Sequence, residues 1–333
     1  MPLLLRLVLT TLVAALIVAT LLSAAIAFGG PKVPAPMASI HTPFKGMDLS
    51  ALPALAEFRA RDGTQLAYRR YAARGAQQGS VVLVHGSSAS SQSLHPLAMT
   101  LAAAGQEVFA LDMRGHGASG PKGRIAYVGQ LDHDIDDFLD AVRPALPASL
   151  MGFSSGGGFA LRYASGPSGE RFQRYLLLAP FLSQDSPTQR PASGGWVSVG
   201  VPRIVALTVL NALGVHRFNH LTVTRFALDD DSRTRLTEAY DYNLATNFRP
   251  RPDFMAELRS VRRPTAIVVG AADEAFHADR FAAVVQAAAQ TWPVRVVPGS
   301  GHIGLTLDDA ARQAIVEQLQ ALPVPDQFGR APS

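Results

Sequence analysis

Two serines stand side by side in MGFSSGGGFA (151–160), and only Ser154 has glycine two residues away on both sides, at Gly152 and Gly156. For Ser155 the preceding position is Phe153. A serine hydroxyl is a poor nucleophile at neutral pH until a base takes its proton. On a sharp strand-to-helix turn, flanking glycines let backbones approach where a side chain would collide. ASLMGF (148–153) reads as a strand and GGFALRYAS as a helix, so Ser154 is a candidate nucleophile at such a turn. The base must come from elsewhere in the chain. Among nine histidines, His302 in VVPGSGHIGLT lies on a small-residue loop after the last apolar run. A carboxylate must hold that imidazole in one tautomer, and Asp273 in IVVGAADEAF follows the preceding run, with Glu274 and Asp279 as fallback acids. The order Ser, Asp, His is that of the GxSxG turn. Acyl transfer also needs donors for a developing oxyanion. The Ser155 N–H would supply one, and the Ser87 N–H in VVLVHGSSAS (81–90) the other. His85, before Gly86, reads as a buried, hydrogen-bonded structural histidine.

These residues require a rigid frame. EFRARDGTQLAYRRY (57–71) alternates about Asp62-Gly63 and predicts a β-hairpin. Six short apolar runs follow, VVLVH (81–85), EVFALD (107–112), ASLMGF, YLLLAP (175–180), AIVVG (266–270) and VRVVP (294–298), separated by helix-like segments. That rhythm predicts a mostly parallel sheet covered by helices on both faces. It is interrupted over 183–258. There PRIVALTVLNALG (202–214) reads as an apolar helix started by Pro and stopped by Gly, and DDDSRTRLTEAYDYNLA (229–245) as a second helix opened by aspartates. Such an insertion would cover the C-terminal edge of the sheet, where open α/β folds bind ligands. Trp196 and the Val and Leu residues of the insertion would make an apolar roof for an acyl chain.

The blocks VVLVHG, LDMRGHGASG (111–120), GFSSG, GAADEAF and GSGHIG occur in the order and approximate spacing of the α/β-hydrolase superfamily, which the chain resembles over roughly 57–183 and 259–322. More narrowly it is similar to the monoacylglycerol lipase and lysophospholipase group, often classed beside serine aminopeptidases. The resemblance implies the α/β-hydrolase fold with a helical cap after the sixth strand, and Ser154, Asp273 and His302 as a triad. It implies a lipid-like carboxylic ester as substrate, a monoacylglycerol or lysophospholipid, and no cofactor. A peptidase or amidase of the serine aminopeptidase type is the alternative, and a non-catalytic binding protein a second. Relatives usually read GHSMG at the turn; Phe153 replaces the His and Ser155 the Met. Asp112, Arg114, Gly115, His116 and Gly117 are read as a structural loop.

The run LVLTTLVAALIVATLLSAAIAF (7–28) carries no charge and is long enough to cross a bilayer. It predicts a single-pass anchor with Arg6 on the cytoplasmic side and the remaining chain outside the cytoplasm. Ala25-Ile26-Ala27 resembles a cleavage site, which leaves a secreted or periplasmic protein as the alternative. The expected organisation is anchor or signal 1–28, Pro/Gly-rich linker 29–56, core 57–182, cap 183–258, core 259–323 and tail 324–333. A formal charge of +4 without basic clusters argues against a nucleic-acid partner, and the lack of cysteine excludes disulfides and thiolate chemistry. GSGHIG (299–304) matches a dinucleotide fingerprint only formally, since Pro298 precedes it and no βαβ unit follows. Asp132, Asp136 and Asp140 share a helical face and are read as solvated carboxylates, not metal ligands.

Overall fold

Strands buried on both faces need no polar alternation, and the apolar runs of this chain form such strands. The computed structural model describes residues 3–37, 44, 46–191 and 195–325; residues 38–43 and 45 of the expected linker and 326–333 of the expected tail lie outside the described residues. After helix α1 (Leu3–Phe28) come the hairpin β1 (Leu55–Arg59) and β2 (Gln65–Tyr71), then β3 (Gly79–Val84), α2 (His95–Ala103) and β4 (Gln106–Leu111). Next are α3 (Gln130–Val142), β5 (Ala148–Phe153), α4 (Ser155–Ala164) and β6 (Arg174–Leu178). The insertion holds β7 (Val197–Val199), α5 (Val201–Ala212), β8 (Thr222–Phe226), α6 (Asp230–Arg235), β9 (Ala239–Asp241) and α7 (Tyr242–Asn247). The chain returns through α8 (Phe254–Ser260), β10 (Thr265–Gly270), α9 (Phe281–Ala287), β11 (Val294–Val297), α10 (Gly304–Leu307) and α11 (Asp309–Ala321).

The main sheet has the order β1-β2-β4-β3-β5-β6-β10-β11. β2 runs antiparallel to β1 and β4, and the pairs from β4 to β11 are parallel. Every residue of β3, β4, β5, β6 and β10 is buried. Burying one Leu or Val side chain contributes about 1.5–3 kcal/mol. Strands of this kind therefore set their own position, and the loops at their C-terminal ends inherit it.

The insertion differs from expectation in one respect. Its apolar helix α5 forms as expected, with Pro202 in its first turn, and the chain turns left-handed at Gly214, where φ is 78°. The single helix expected over 229–245 is instead α6, β9 and α7. Asp229 caps only α6, accepting from the Ser232 N–H at 2.8 Å. The chain then extends to pair with β8, in a three-stranded sheet of order β7-β8-β9. Asp241 opens α7 by accepting from the Leu244 N–H at 2.8 Å. Each cap residue has extended backbone, so two caps in one stretch rule out one continuous helix.

The acidic face of α3 is also less solvated than its sequence suggests. Asp132 accepts from Arg162 at 3.1 Å and from Asn247 at 2.7 Å, and Asp136 accepts from the Tyr163 hydroxyl at 2.7 Å. Asp140 pairs with Arg171. Because α4 presents Arg162 and Tyr163 to this face, the carboxylates bind α3 to α4 and to the insertion.

Candidate active site

Strand β5 ends at Phe153 and α4 begins at Ser155, which leaves Ser154 on the turn between them with φ 55° and ψ −117°. A non-glycine residue in that region is strained by about 1–3 kcal/mol and needs the surroundings to hold it. Three backbone bonds do so: the Ser154 N–H donates to the Leu178 carbonyl at 2.9 Å, and the Ser154 carbonyl accepts from Gly158 and Phe181, both at 3.0 Å. The flanking glycines are required by contact. A Cβ on Gly152 would lie 2.1 Å from the Gly156 carbonyl oxygen, and one on Gly156 would lie 2.3 Å from that of His85.

Three residues far apart in sequence meet at this turn. Ser154 Oγ is 3.0 Å from His302 Nε2, and His302 Nδ1 is 2.8 Å from Asp273 Oδ2. The other Asp273 oxygen accepts the N–H groups of Ala275 and Phe276, each at 2.8 Å. The Asp273 side chain is fully buried. A carboxylate so held keeps the Nδ1 proton on the imidazole and leaves Nε2 free to accept from Ser154. The fallback acids take other places. Glu274 accepts the His302 backbone N–H at 2.8 Å, and Asp279 lies exposed in a turn at 278–280.

Phe153 and Phe276 flank the imidazole, with ring centroids 4.8 and 5.2 Å from that of His302. Phe153, where relatives usually carry His, therefore forms an apolar wall beside the base.

Ser87 and Ser155 face each other across the site, their hydroxyl oxygens 2.5 Å apart. Ser154 provides no side-chain cap to α4, which leaves the first N–H groups of that helix, Ser155 included, without a capping side chain. The next residue in the loop, Ser88, has φ 68°, and its N–H donates to the Tyr240 hydroxyl at 2.6 Å. Tyr240 in turn lies 2.7 Å from His116 Nε2. Burial pushes His85 and His116 below the ordinary histidine value, and both are neutral at pH 7. Tautomers follow from the partners. The Met113 N–H donates to His85 Nε2 at 3.2 Å, so His85 Nδ1 carries the proton and donates to the Gly86 carbonyl at 2.8 Å. Likewise His116 Nε2 accepts from Tyr240 and its Nδ1 donates to the Arg114 carbonyl. His85 has the structural place expected of it.

The loop at 112–117 is structural too. Asp112 accepts the Ser91 and Ala118 N–H groups at 2.8 and 2.9 Å, and Arg114 pairs with Asp134 at 2.7 Å and Asp62 at 2.9 Å.

Ser154 and His302 open into a cavity of about 950 Å³. Its walls are mainly apolar, with Leu94, Phe153, Phe226, Phe248 and Phe276 from core and cap, and Trp196 on the cap as expected. Met37, Phe44, Met47 and Leu49, within the stretch read as a linker, also line it. Sequence reading missed these four and Tyr240; no motif surrounds them, and only the apolar residues amid Pro and Gly gave any sign. Among the described residues no group of His, Asp and Glu could hold a metal ion.

Sheet order, the strand-to-helix turn at Ser154 and the inserted cap together define an α/β-hydrolase fold. The profile described as serine aminopeptidase, S33 matches residues 75–306, and the chain belongs to that family. A monoacylglycerol lipase of Mycolicibacterium smegmatis is 34% identical over 132 residues, which cover 38% of this chain and 46% of that protein. The chain thus matches less than half the length of this relative. Among solved structures, the monoglyceride lipase of Saccharomyces cerevisiae superposes with TM-score 0.59 at 17% identity, covering 80% of this chain and 94% of that one. The monoacylglycerol lipase of Paleococcus ferrophilus gives 0.55 at 19% identity, covering 76% and 99%. At these identities the solved structures share the fold.

Proposed function

We propose that the protein is a membrane-tethered serine hydrolase that cleaves carboxylic esters of lipid-like acids through an acyl-enzyme. The observation that carries this reading is the hydrogen-bonded chain Ser154, His302, Asp273 at a large apolar cavity. Ser154 Oγ attacks the ester carbonyl carbon as its proton passes to His302 Nε2, while Asp273 stabilises the imidazolium at Nδ1. The N–H groups of Ser87 and Ser155 receive the oxyanion. As the tetrahedral intermediate collapses, the bond to the alcohol oxygen breaks and His302 returns the proton to it. Water then releases the acid by the same route.

The aminopeptidase reading has one observation in its favour, the Glu274 carboxylate on the cavity wall, where a substrate ammonium could pair. Turnover of glycerol monoesters of graded chain length, measured against aminoacyl amides, separates the two. Esters are expected to turn over faster, with rates rising as the acyl chain fills the cavity; faster amides would reject the ester reading.

The tether rests on α1, an apolar helix of 26 residues with no buried residue. At 1.5 Å per residue it spans about 40 Å, more than a hydrocarbon core of roughly 30 Å. Its end is fastened to the cap: Arg203 of α5 donates to the carbonyls of Ile26 at 2.9 Å and Ala27 at 3.1 Å, the acceptors a helix C-terminus leaves free. On α5 itself Val201, Val205 and Val209, with Leu213 beyond its end, repeat every four residues and are exposed. An anchored α1 therefore brings an apolar face of the cap to the bilayer surface. Deleting residues 1–28 is expected to move the protein from the membrane pellet to the soluble fraction; unchanged distribution would contradict the tether.

A further inference from the structure

Arg249 lines the cavity between α7 and α8, and among the described residues its guanidinium has no ion pair and no hydrogen bond to the protein. Its neighbours are engaged. Arg251 bonds Glu257 at 2.5 Å, Arg162 bonds Asp132 at 3.1 Å, and Arg235, also on the cavity wall, bonds Asp231 at 2.6 Å. Arg249 is half-buried, and burial draws its guanidinium below the ordinary arginine value, with Arg162 acting in the same sense. A cation held there without a carboxylate loses hydration that nothing in the protein replaces.

Its place relative to the nucleophile is fixed by the next residue. Pro250 packs against Gly158, where an added Cβ would come within 2.8 Å of the proline ring, and Gly158 donates to the Ser154 carbonyl at 3.0 Å. Pro250 thus sits one helical turn along α4 from Ser154, and Arg249, the residue before it, lines the same cavity as Ser154. A guanidinium offers five donors in a planar fork that fits a phosphate or carboxylate by paired bonds.

We infer that Arg249 binds an anionic group carried by the ester substrate, so that the preferred substrates are acyl esters of phosphate-bearing alcohols, not neutral glycerides. The inference rests on the reading of Ser154 as nucleophile and adds the charge of the headgroup. Arg249 is a specificity residue in this scheme, and its cation opposes a substrate ammonium as well.

The test compares a monoacylglycerol with an acylglycerol phosphate of the same chain, using the full-length protein in neutral detergent, and labels Ser154 with a fluorophosphonate in parallel. Wild type is expected to favour the phosphate ester in kcat/KM by about 10- to 100-fold, the range of a charge-assisted pair. R249Q should bring the ratio of the two kcat/KM values close to one, through KM of the phosphate ester, and R249K should restore part of it. Equal kcat/KM in wild type, or an unaltered ratio in R249Q, would overturn the inference while labelling leaves the hydrolase reading intact. Inhibition by inorganic phosphate that R249Q relieves, without any preference between the esters, would assign Arg249 to a free anion and overturn the headgroup inference. Absence of both cleavage and labelling would remove the underlying reading and the inference with it.

Discussion

Ser154→Ala is expected to lower ester turnover by roughly a millionfold, the scale on which a triad fails when its nucleophile is removed. The hydroxyl is the one in contact with His302 Nε2, at 3.0 Å, and so the one proposed to form the acyl-enzyme. Nothing else in the fold depends on that oxygen, because Ser154 is held by its backbone bonds to Leu178, Gly158 and Phe181. The thermal midpoint should accordingly stay close to wild type, which separates lost chemistry from lost structure. Asp273→Asn belongs to the same experiment. It keeps the shape of the acid but offers a donor where Nδ1 needs an acceptor, and a loss of about 10⁴ in kcat is expected. Substantial turnover by the alanine variant would place the nucleophile elsewhere.

Gly156→Ala is expected to be strongly destabilising. The added carbon would lie 2.3 Å from the His85 carbonyl oxygen and 2.7 Å from that of Val84, both backbone atoms at the buried end of β3. Neither can rotate away, so α4 must move off the sheet or β3 must leave its register. A loss of about 4 kcal/mol or more follows, since strain of this kind lies in the upper tail of single substitutions. For a chain of 333 residues that corresponds to a fall in Tm of at least ~6 °C. Gly46→Ala is the control: a Cβ there meets nothing within 4 Å, and its Tm should match wild type. Comparable Tm values for the two variants would contradict the close approach of α4 to β3.

The mostly parallel sheet was legible because its inner strands are buried on both faces, and each unbroken run such as VVLVH or AIVVG marks one of them. The proposed triad could be named for a related reason. Ser154, Asp273 and His302 each lie within a few residues of the C-terminal end of such a run, and the parallel order of β5, β10 and β11 places those ends together. Ser87 and Ser155 could be proposed as oxyanion donors because that role asks only for backbone N–H groups.

The insertion was read less well. Its stretch 229–245 has helical composition, yet Asp229 and Asp241 both act as caps, and the residues between them are drawn into pairing with β8. Tertiary context overrode propensity there. Tyr240 gave no local sign, since its hydroxyl answers to Ser88 and His116, each more than a hundred residues away in the chain. Arg249 was equally silent in sequence, because what distinguishes it is a place on the cavity wall without an ion pair among the described residues, which only folding reveals.

The most direct measurement is mass mapping of the full-length protein after reaction with a fluorophosphonate, which requires an activated serine and no knowledge of the natural substrate. One adduct on the peptide carrying Ser154 is expected, absent in Ser154→Ala and greatly slowed in Asp273→Asn. An unlabelled native protein, or an adduct on Ser155 or Ser87 in its place, would contradict the assignment of Ser154, His302 and Asp273 as a catalytic unit.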